Sequence, residues 1–220
     1  MVNLKVSDMN ENKKDLATRE KILKAAREIF VEKGRDGARM QEIADRAGVN
    51  KALLHYYHTS KENLYREIIL DAFRELIMNI GQLFEADLSP EEQIKQLIHR
   101  HFDFLAKNTD LPRLMMQEFI REDSILPGLM HEVIFSRKSD MPSKLFDFFK
   151  KIKPGEKINP QDAIHILLNI IGMNAVYFIA RPVVDVIFPD ATRDQANFLE
   201  NRKKIISDMV LKSLFNNPER

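Results

Sequence analysis

The chain has 220 residues, of which 44% are hydrophobic and 30% charged, a balance typical of folded globular domains that excludes a largely disordered chain. It contains no cysteine, which excludes disulfide frameworks and thiolate metal sites, and its first residues lack the apolar run of a signal peptide, so we expect a cytoplasmic protein. The formal net charge is only +1, but residues 1–60 carry 12 Lys and Arg against 9 Asp and Glu, a mild positive excess that favours this part facing nucleic acid.

Three helices are predicted in the first sixty residues. Residues 1–16 are polar and predict a disordered arm, after which Thr18 is placed to cap a helix that ends near Gly34. Apolar side chains recur along this helix at the spacing of one face: Ile22, Ala25, Ala26, Ile29 and Phe30. We expect this helix to support the two short helices that follow, which gives one domain over residues 1–60 and a second over residues 61–220.

The segment 40–62 predicts a helix-turn-helix. Ala44 lets two helices approach closely, Gly48 supplies the left-handed backbone that ends the first helix, and Leu54 holds the second in place. Asn50 is placed to cap the second helix through its side-chain oxygen. The side chains expected to point inward are Leu53, Leu54 and Tyr57, and those expected to point outward are Lys51, His55, Tyr56 and His58.

The remaining residues predict further helices and no strand, so the expected fold class is all-α: an N-terminal helix-turn-helix domain followed by a helical bundle. Ser60 is placed to cap a long helix over residues 61–83, which can join the two domains rigidly. Further helix starts are predicted at Ser89-Pro90, Pro112, Pro127, Asn159-Pro160 and Thr192, and a charged loop is predicted over residues 150–159.

One late helix, Ile164–Ala180, is apolar nearly all round. It has 17 residues and is interrupted by His165, Asn169 and Asn174, so it predicts a helix buried on both sides rather than a membrane span. Gly172 lies in its middle, where glycine is unfavourable in a helix, and therefore favours close crossing by another helix.

Several motif residues recur in a known order: Ile43-Ala44, Ala47-Gly48-Val49, Leu54, Tyr56-Tyr57, Ser60-Lys61-Glu62 and Leu64. This order resembles the DNA-binding segment of the TetR/AcrR family of bacterial transcriptional repressors, whose pattern runs roughly IA..AGVS.G.LY.YF.SKE.L. Arg39, Leu53 and His58 depart from that pattern. The resemblance implies a homodimer through helices near residues 160–181 and 193–215, and a small-molecule effector site in residues 61–220.

With this resemblance, the second motif helix is expected to enter the major groove of double-stranded operator DNA. Lys and Arg side chains neutralise phosphates, a tyrosine hydroxyl can donate to a phosphate oxygen, and Leu53 can contact thymine methyl groups. The predicted DNA contacts are Arg39, Gln41, Asn50, Lys51, Ala52, Leu53, His55, Tyr56 and Lys61.

Residues 94–180 are rich in Met and Phe, which line apolar ligand sites in helical bundles. We expect a largely apolar effector, and the predicted lining residues are His101, Phe102, Met115, Phe119, Phe135, Phe149, Asn169, Met173 and Tyr177. Each of these side chains also fits an ordinary hydrophobic core.

The sequence thus predicts a homodimeric, ligand-responsive repressor that an effector releases from a palindromic operator, with no cofactor, metal or catalytic activity. His99 and His101 point to different faces of a helix and cannot hold one ion together. No nucleophile elbow, Walker or dinucleotide pattern is present. Three alternatives stay open: a helical ligand- or protein-binding module without specific DNA binding, an enzyme on a helical scaffold, and an activator rather than a repressor.

Overall fold

The computed structural model describes residues 2–135, 141–152 and 160–215, with side chains described for residues 15–135, 141–152 and 161–215. Within these ranges all regular structure is helical, which confirms the all-α fold class. The helices are α1 (Val2–Gly37), α2 (Met40–Ala47), α3 (Lys51–Tyr57), α4 (Lys61–Gly81, followed by a 3-10 turn at Gln82–Phe84), α5 (Pro90–Lys107), α6 (Leu111–Phe119), α7 (Leu126–Ile134), α8 (Met141–Ile152), α9 (Pro160–Ile187), α10 (Pro189–Thr192) and α11 (Gln195–Phe215).

A continuous apolar core runs from the first three helices into the bundle. Phe30 of α1 meets Tyr65 of α4 edge to face, with ring centroids 4.7 Å apart, and both side chains are fully buried. Further along, α5 packs against α9 and α11. Because α4 contacts α1, α5 and α7, it connects the helix-turn-helix to the bundle by packing as well as by sequence.

Side-chain hydrogen bonds confirm two of the predicted helix starts. The Ser60 hydroxyl accepts a hydrogen bond of 3.1 Å from the Asn63 N–H at the start of α4, and the Ser89 hydroxyl accepts one of 3.2 Å from the Glu92 N–H at the start of α5. Both hydroxyls satisfy N–H groups that have no partner inside the helix.

Two other predicted starts are wrong. Residues 2–17 are helical, so α1 begins well before Thr18 and the expected arm continues the helix instead. At the last helix, Thr192 ends α10, and it is Asp194 whose carboxylate accepts the N–H of Asn197 at 3.1 Å. An aspartate two residues after a threonine competes for the same capping role, and the sequence pattern does not decide between them.

The bundle helices also differ from the predicted ones in extent. The apolar run after Pro127 forms two helices, α7 and α8, rather than one. α8 continues to Ile152, so the expected loop begins later than residue 150, and its remaining residues 153–159, with the Asn159 cap, lie outside the described ranges. α9 continues past Ala180 and through Pro182 to Ile187.

The outer side of α9 is not covered by the described part of the chain. Ile164, Leu168 and Val176 are each more than half exposed, so the described residues of one protomer do not bury α9 on both sides. Around Gly172, no described atom of another element comes within 4 Å of an added Cβ, so the predicted close crossing is absent from the described protomer too. By length and composition α9 would be able to cross a membrane, a test that the core helices of soluble proteins also pass.

A glycine-specific backbone at the motif corner leads to a stability prediction. Gly48 has φ 67° and ψ 33°, and a Cβ added there would meet no atom within 4 Å. Gly48→Ala is therefore expected to cost about 1–2 kcal/mol of folding stability through backbone strain alone. Gly128→Ala is the matched control, because its Cβ also meets nothing within 4 Å while its φ is not positive. Urea unfolding of both variants measures the difference, and an equal effect at the two positions would remove the strain explanation.

Candidate DNA-binding site and effector lobe

The corner between α2 and α3 is built from local hydrogen bonds. The Gly48 N–H donates to the Asp45 carbonyl at 3.2 Å, and the Val49 N–H donates to the Ala44 carbonyl at 3.0 Å, which ends α2. The Asn50 side-chain oxygen then accepts the Leu53 N–H at 2.7 Å and starts α3. Ala44 and Leu54 are fully buried below the corner, as predicted from their spacing.

One face of α3 carries four exposed side chains: Lys51, Ala52, His55 and Tyr56. The Tyr56 side chain is 78% exposed. Aromatic side chains are usually more buried than this, so the exposure indicates a surface that binds a partner. Tyr57 is half-buried against the motif, and its hydroxyl donates to Asp15 of α1. Leu53 lies half-buried at the edge of the face. The α3 residues predicted to contact DNA therefore share one outward surface, which we call the reading face (residues 51, 52, 53, 55 and 56).

Four predicted contacts lie outside this face: Asn50, which caps α3, and Arg39, Gln41 and Lys61. The last three differ in whether their side chains are already hydrogen-bonded within the chain. Arg39 precedes α2, is exposed and does not cap that helix through its side chain. The Gln41 amide donates to Asp45 at 2.8 Å, and the Lys61 ammonium donates to the Asp36 carbonyl at 3.2 Å. Gln41 and Lys61 would have to exchange these internal bonds for a phosphate.

α2 is held against α1 by two ion pairs. Lys33 lies 2.8 Å from Glu42, and Arg46 lies 2.6 Å from Glu32. Hydrogen bonding to Lys33 lowers the pKa of Glu42, and hydrogen bonding to Arg46 lowers the pKa of Glu32. Since these basic side chains are already paired with carboxylates, they set the position of α2 rather than add free positive charge.

His58 was expected on the outside of the motif, and this is wrong. Its side chain is buried at 3% exposure, with Nδ1 3.0 Å from Glu67 of α4. Burial lowers the pKa of His58, and the charge of Glu67 opposes that shift. His58 follows α3 and faces α4, so it joins the two helices and does not belong to the reading face.

A second set of residues, which we call the joint, connects the motif domain to α6. α1 breaks at Gly34, where φ is 72°, and the next residue, Arg35, lies with Nη1 3.5 Å from Glu118 Oε1 and also pairs with Asp123. Arg121 pairs with Asp36 at 2.6 Å. Burial raises the pKa of Tyr65 beside them, and the Glu118 carboxylate raises it further. The sequence offered no signal for the joint, because the partners of its ion pairs lie more than 80 residues apart along the chain.

The predicted effector residues fall into two groups. Phe119 and Phe135 are 74% and 61% exposed, and Asn169 is exposed, so these three do not line an interior site in the protomer. The other six, which are buried or half-buried, are His101, Phe102, Met115, Phe149, Met173 and Tyr177. Among the described residues, no three His, Asp or Glu side chains lie close enough to hold a metal ion.

The centre of the lobe contains a buried polar pair between α5 and α9. Asn174, which is fully buried, donates to the Ile98 carbonyl at 3.1 Å and has its nitrogen 3.0 Å from His101 Nδ1. The rings of Phe102 on α5 and Phe178 on α9 lie 5.2 Å apart, between the same two helices. Since the Asn174 amide donates to Nδ1, the imidazole proton resides on Nε2. Burial lowers the pKa of His101 to about 4.

This pKa predicts that His101 makes stability fall in acid. Above pH 6.5 the ring is neutral in both the folded and the unfolded chain; between 6.5 and about 4 only the unfolded chain binds the proton. The difference is about 1.4 kcal/mol per pH unit, or about 2 kcal/mol between pH 7.5 and pH 5. His101→Gln is expected to reduce the loss of unfolding free energy over that range by this amount, as measured in urea. An equal loss in both proteins would show that His101 is protonated in the fold.

Comparison with known proteins identifies relatives over both parts of the chain. Residues 22–68 match the model of bacterial regulatory proteins, tetR family, and residues 90–210 match that of the tetracyclin repressor-like C-terminal domain. The HTH-type transcriptional regulator RutR of Escherichia coli O157:H7 is 29% identical over 197 residues, which cover 88% of this chain and 91% of that protein.

Solved structures share the fold. The fatty acid degradation regulator FadR of Bacillus halodurans has a TM-score of 0.66 at 19% identity and covers 89% of this chain and 99% of its own. FadR of Bacillus subtilis, solved in complex with stearoyl-CoA, has a TM-score of 0.66 at 16% identity and covers 87% of this chain and 97% of its own. At these identities the two structures support the arrangement of helices and nothing finer.

Proposed function

The chain belongs to the tetR family of bacterial regulatory proteins and is a DNA-binding transcriptional regulator, and we propose that it acts as a homodimeric repressor that a small-molecule effector releases from a palindromic operator. The family is one of transcriptional regulators, which are generally not enzymes. The observation that carries the proposal is the reading face, where a capped helix presents a lysine and a largely exposed tyrosine together.

The reading face fits the major groove in its chemistry. Lys51 and the Tyr56 hydroxyl can contact phosphates, while Ala52 and Leu53 offer apolar contact to thymine methyl groups and His55 can reach base edges. The Asn50 oxygen already accepts the Leu53 N–H, which leaves its amide nitrogen to donate to a phosphate. Arg39 adds an exposed charge in front of α2, whereas Gln41 and Lys61 contribute less because both are internally bonded.

A second copy of the chain fits the exposed side of α9. Ile164, Leu168 and Ile171 follow one another at helical spacing on that side, and Ile205 and Met209 are more than half exposed on α11. In the proposed dimer these side chains meet their symmetry mates in a four-helix contact, which removes them from water. The exposed apolar surface continues to Val186 and Ile187, so the contact extends beyond the predicted limit at residue 181.

The two domains are proposed to divide near residue 60 and to communicate through α4 and the joint. Arg35 and Arg121 tie the end of α1 and Asp36 to α6, so a shift of α6 on effector binding moves α1 and the motif with it. The effector then favours a dimer whose reading faces no longer match two major grooves about 34 Å apart. Because the coupling is thermodynamic, the operator must weaken effector binding by the same factor.

The effector itself is proposed to be largely apolar and to lie in the lobe formed by residues 61–220. Phe102, Met173 and Tyr177 supply apolar surface there, and His101 with Asn174 supplies polar groups at its centre. The rival reading, a helical binding module without specific DNA binding, shares this lobe but predicts no use for the exposed reading face.

In-vitro selection on fragments of the source genome tests the proposal. The wild-type dimer is expected to enrich a near-palindromic site with half-sites one helical turn apart. Genes beside the selected site then suggest candidate effectors, and a true effector lowers affinity for that site. If no sequence is enriched, the chain is better explained as a helical binding module without specific DNA binding. If a site is selected but no ligand changes the affinity of the protein for it, the proposed response to an effector is wrong.

A further inference from the structure

A buried histidine lies where the chain passes from α3 to α4. The backbone N–H of His58 donates to the Leu54 carbonyl at 2.9 Å and ends α3, and the side chain is only 3% exposed. In the TetR/AcrR pattern this position, two residues before Ser60, is a phenylalanine. A phenyl ring fills a buried site without burying polar atoms, whereas a histidine brings two nitrogens that need partners and a charge that depends on pH. Packing alone therefore does not explain the histidine.

Only one of the two ring nitrogens of His58 has a partner. Nδ1 lies 3.0 Å from Glu67 Oε2 on α4, and because an ionised carboxylate only accepts hydrogen bonds, Nδ1 carries the proton. Nε2 is buried and has no hydrogen-bond partner among the described residues. Protonation would place a second N–H there, and a buried N–H without an acceptor costs about 1–3 kcal/mol. The buried position therefore suits the neutral ring.

The charges that act on the ring come from α4 and from α1. Glu67 of α4 favours the charged ring, but Glu67 also pairs with Arg19 of α1, which lies 3.7 Å from Asp71 as well. Burial has the largest effect and lowers the pKa of His58; Glu67 opposes this shift and Arg19 adds to it. As the pH falls, a proton thus binds more readily to a His58 ring in water than to the buried ring. Glu67 is partly exposed, so water lies one side chain away.

We propose that His58 is a positioning residue that makes operator recognition by α3 dependent on pH. The proposal rests on the proposed binding of an operator by the reading face. With a neutral ring, the contact to Glu67 holds the end of α3 against α4. With a charged ring this contact opens, and Tyr56, two residues before His58, is no longer held in place on the reading face. Specific binding is therefore strongest when both protomers carry a neutral His58, and it weakens in acid.

His58→Phe tests the pH dependence, because it keeps a buried aromatic ring and removes the titrating group. Operator affinity of the wild type and of the variant is measured between pH 7.5 and pH 5 at constant salt. Below the midpoint of the His58 titration each protomer releases up to one proton on binding, so the ratio of wild-type to variant affinity should fall by as much as about a hundredfold per pH unit, and by at least about tenfold over the range. Protonation of His55 on the reading face acts on both proteins and cancels in the ratio. A constant ratio overturns the proposal.

NMR titration of the His58 ring in the wild-type dimer gives an outcome that no folding defect of a variant can obscure. Because linkage is reciprocal, bound operator must lower the midpoint of this titration. The proposal is overturned if the midpoint is the same with and without operator, or if the ring stays neutral down to pH 5.

Glu67→Gln separates this role from a purely structural one. The variant removes the charge that favours the protonated ring but keeps an oxygen that can accept from Nδ1, so the midpoint of His58 should move to lower pH. Glu75→Gln is the matched control, since Glu75 is exposed on the same helix, and it should leave the midpoint unchanged. Equal midpoints in the two variants would show that Glu67 does not govern the charge of His58, against the proposal.

The free protein distinguishes failure of this proposal from failure of the proposed function. Without DNA, the backbone amide resonances of α3 should shift with the same midpoint as the His58 ring. If they do so but no operator is found, His58 positions α3 as inferred and the repressor function is the part that fails. If an operator is bound specifically but the α3 resonances do not follow His58, the ring does not position α3 and the proposal is overturned.

Discussion

Replacing Lys51 and Tyr56 together by alanine is expected to weaken binding to the selected operator by at least about a hundredfold while leaving the fold intact. Each protomer loses one lysine–phosphate contact and one tyrosine hydroxyl contact, so the dimer loses four. At about 1 kcal/mol per contact, the total is about 4 kcal/mol, or close to a thousandfold. Both side chains are exposed, so their removal does not disturb the core below α3.

The salt dependence of operator binding by the same variant measures how much of the lost affinity comes from charge. Two fewer phosphates neutralised per dimer should reduce the slope of log K against log salt by about 2. Lys151→Ala is the control for net charge, since Lys151 is exposed on α8, far along the chain from the motif. If the Lys51 and Tyr56 variant binds as tightly as the control, another surface of the protein contacts the DNA.

Introducing charge into the outer side of α9 and α11 should separate the protomers. Leu168→Glu combined with Met209→Glu places four carboxylates in the proposed dimer contact, each desolvated at a cost of several kcal/mol without a partner. Both residues are more than half exposed in the protomer, so the monomer should stay folded. Sedimentation equilibrium is expected to show a monomer, and operator affinity should fall about 10²–10⁴-fold because the two half-sites are no longer bound together.

Met78→Glu is the matched control for this variant. Met78 lies on α4 and is 65% exposed, so the same change of an exposed apolar side chain is made away from α9 and α11. It should remain dimeric and bind the operator normally. A dimeric Leu168 and Met209 double variant, or a monomeric Met78 variant, would place the dimer contact elsewhere.

Local chemistry explains which parts of the fold the sequence predicted well. Gly48, Asn50 and Ser60 act on atoms no more than four residues away, so their roles as helix end and caps can be read from spacing. The same holds for Ala44 and Leu54, whose burial follows from one helix corner. The residues of α3 that do not pack into the core then form the exposed reading face.

Contacts distant in sequence explain most of what was missed. His58 has the spacing of an outward residue, but Glu67 on α4 draws it into the core. Arg35 and Glu118 are ordinary charged residues in the sequence, and only packing of α1 on α6 brings them together. For α9, the sequence predicted burial on both sides and a dimer contact near residues 160–181, but a single sequence cannot distinguish contact within a protomer from contact between two copies. Phe119 and Phe135 show the same ambiguity, since aromatic spacing does not reveal exposure.

The most direct test of the central claim is a titration of the wild-type dimer against the selected operator and a scrambled duplex of the same length and composition, at several salt concentrations. A sequence-specific repressor should prefer the operator by at least about 10³-fold at physiological salt, with both affinities falling steeply as salt rises. Equal affinity for the two duplexes at every salt concentration would contradict specific recognition by the reading face, and the effector lobe alone would then carry the function.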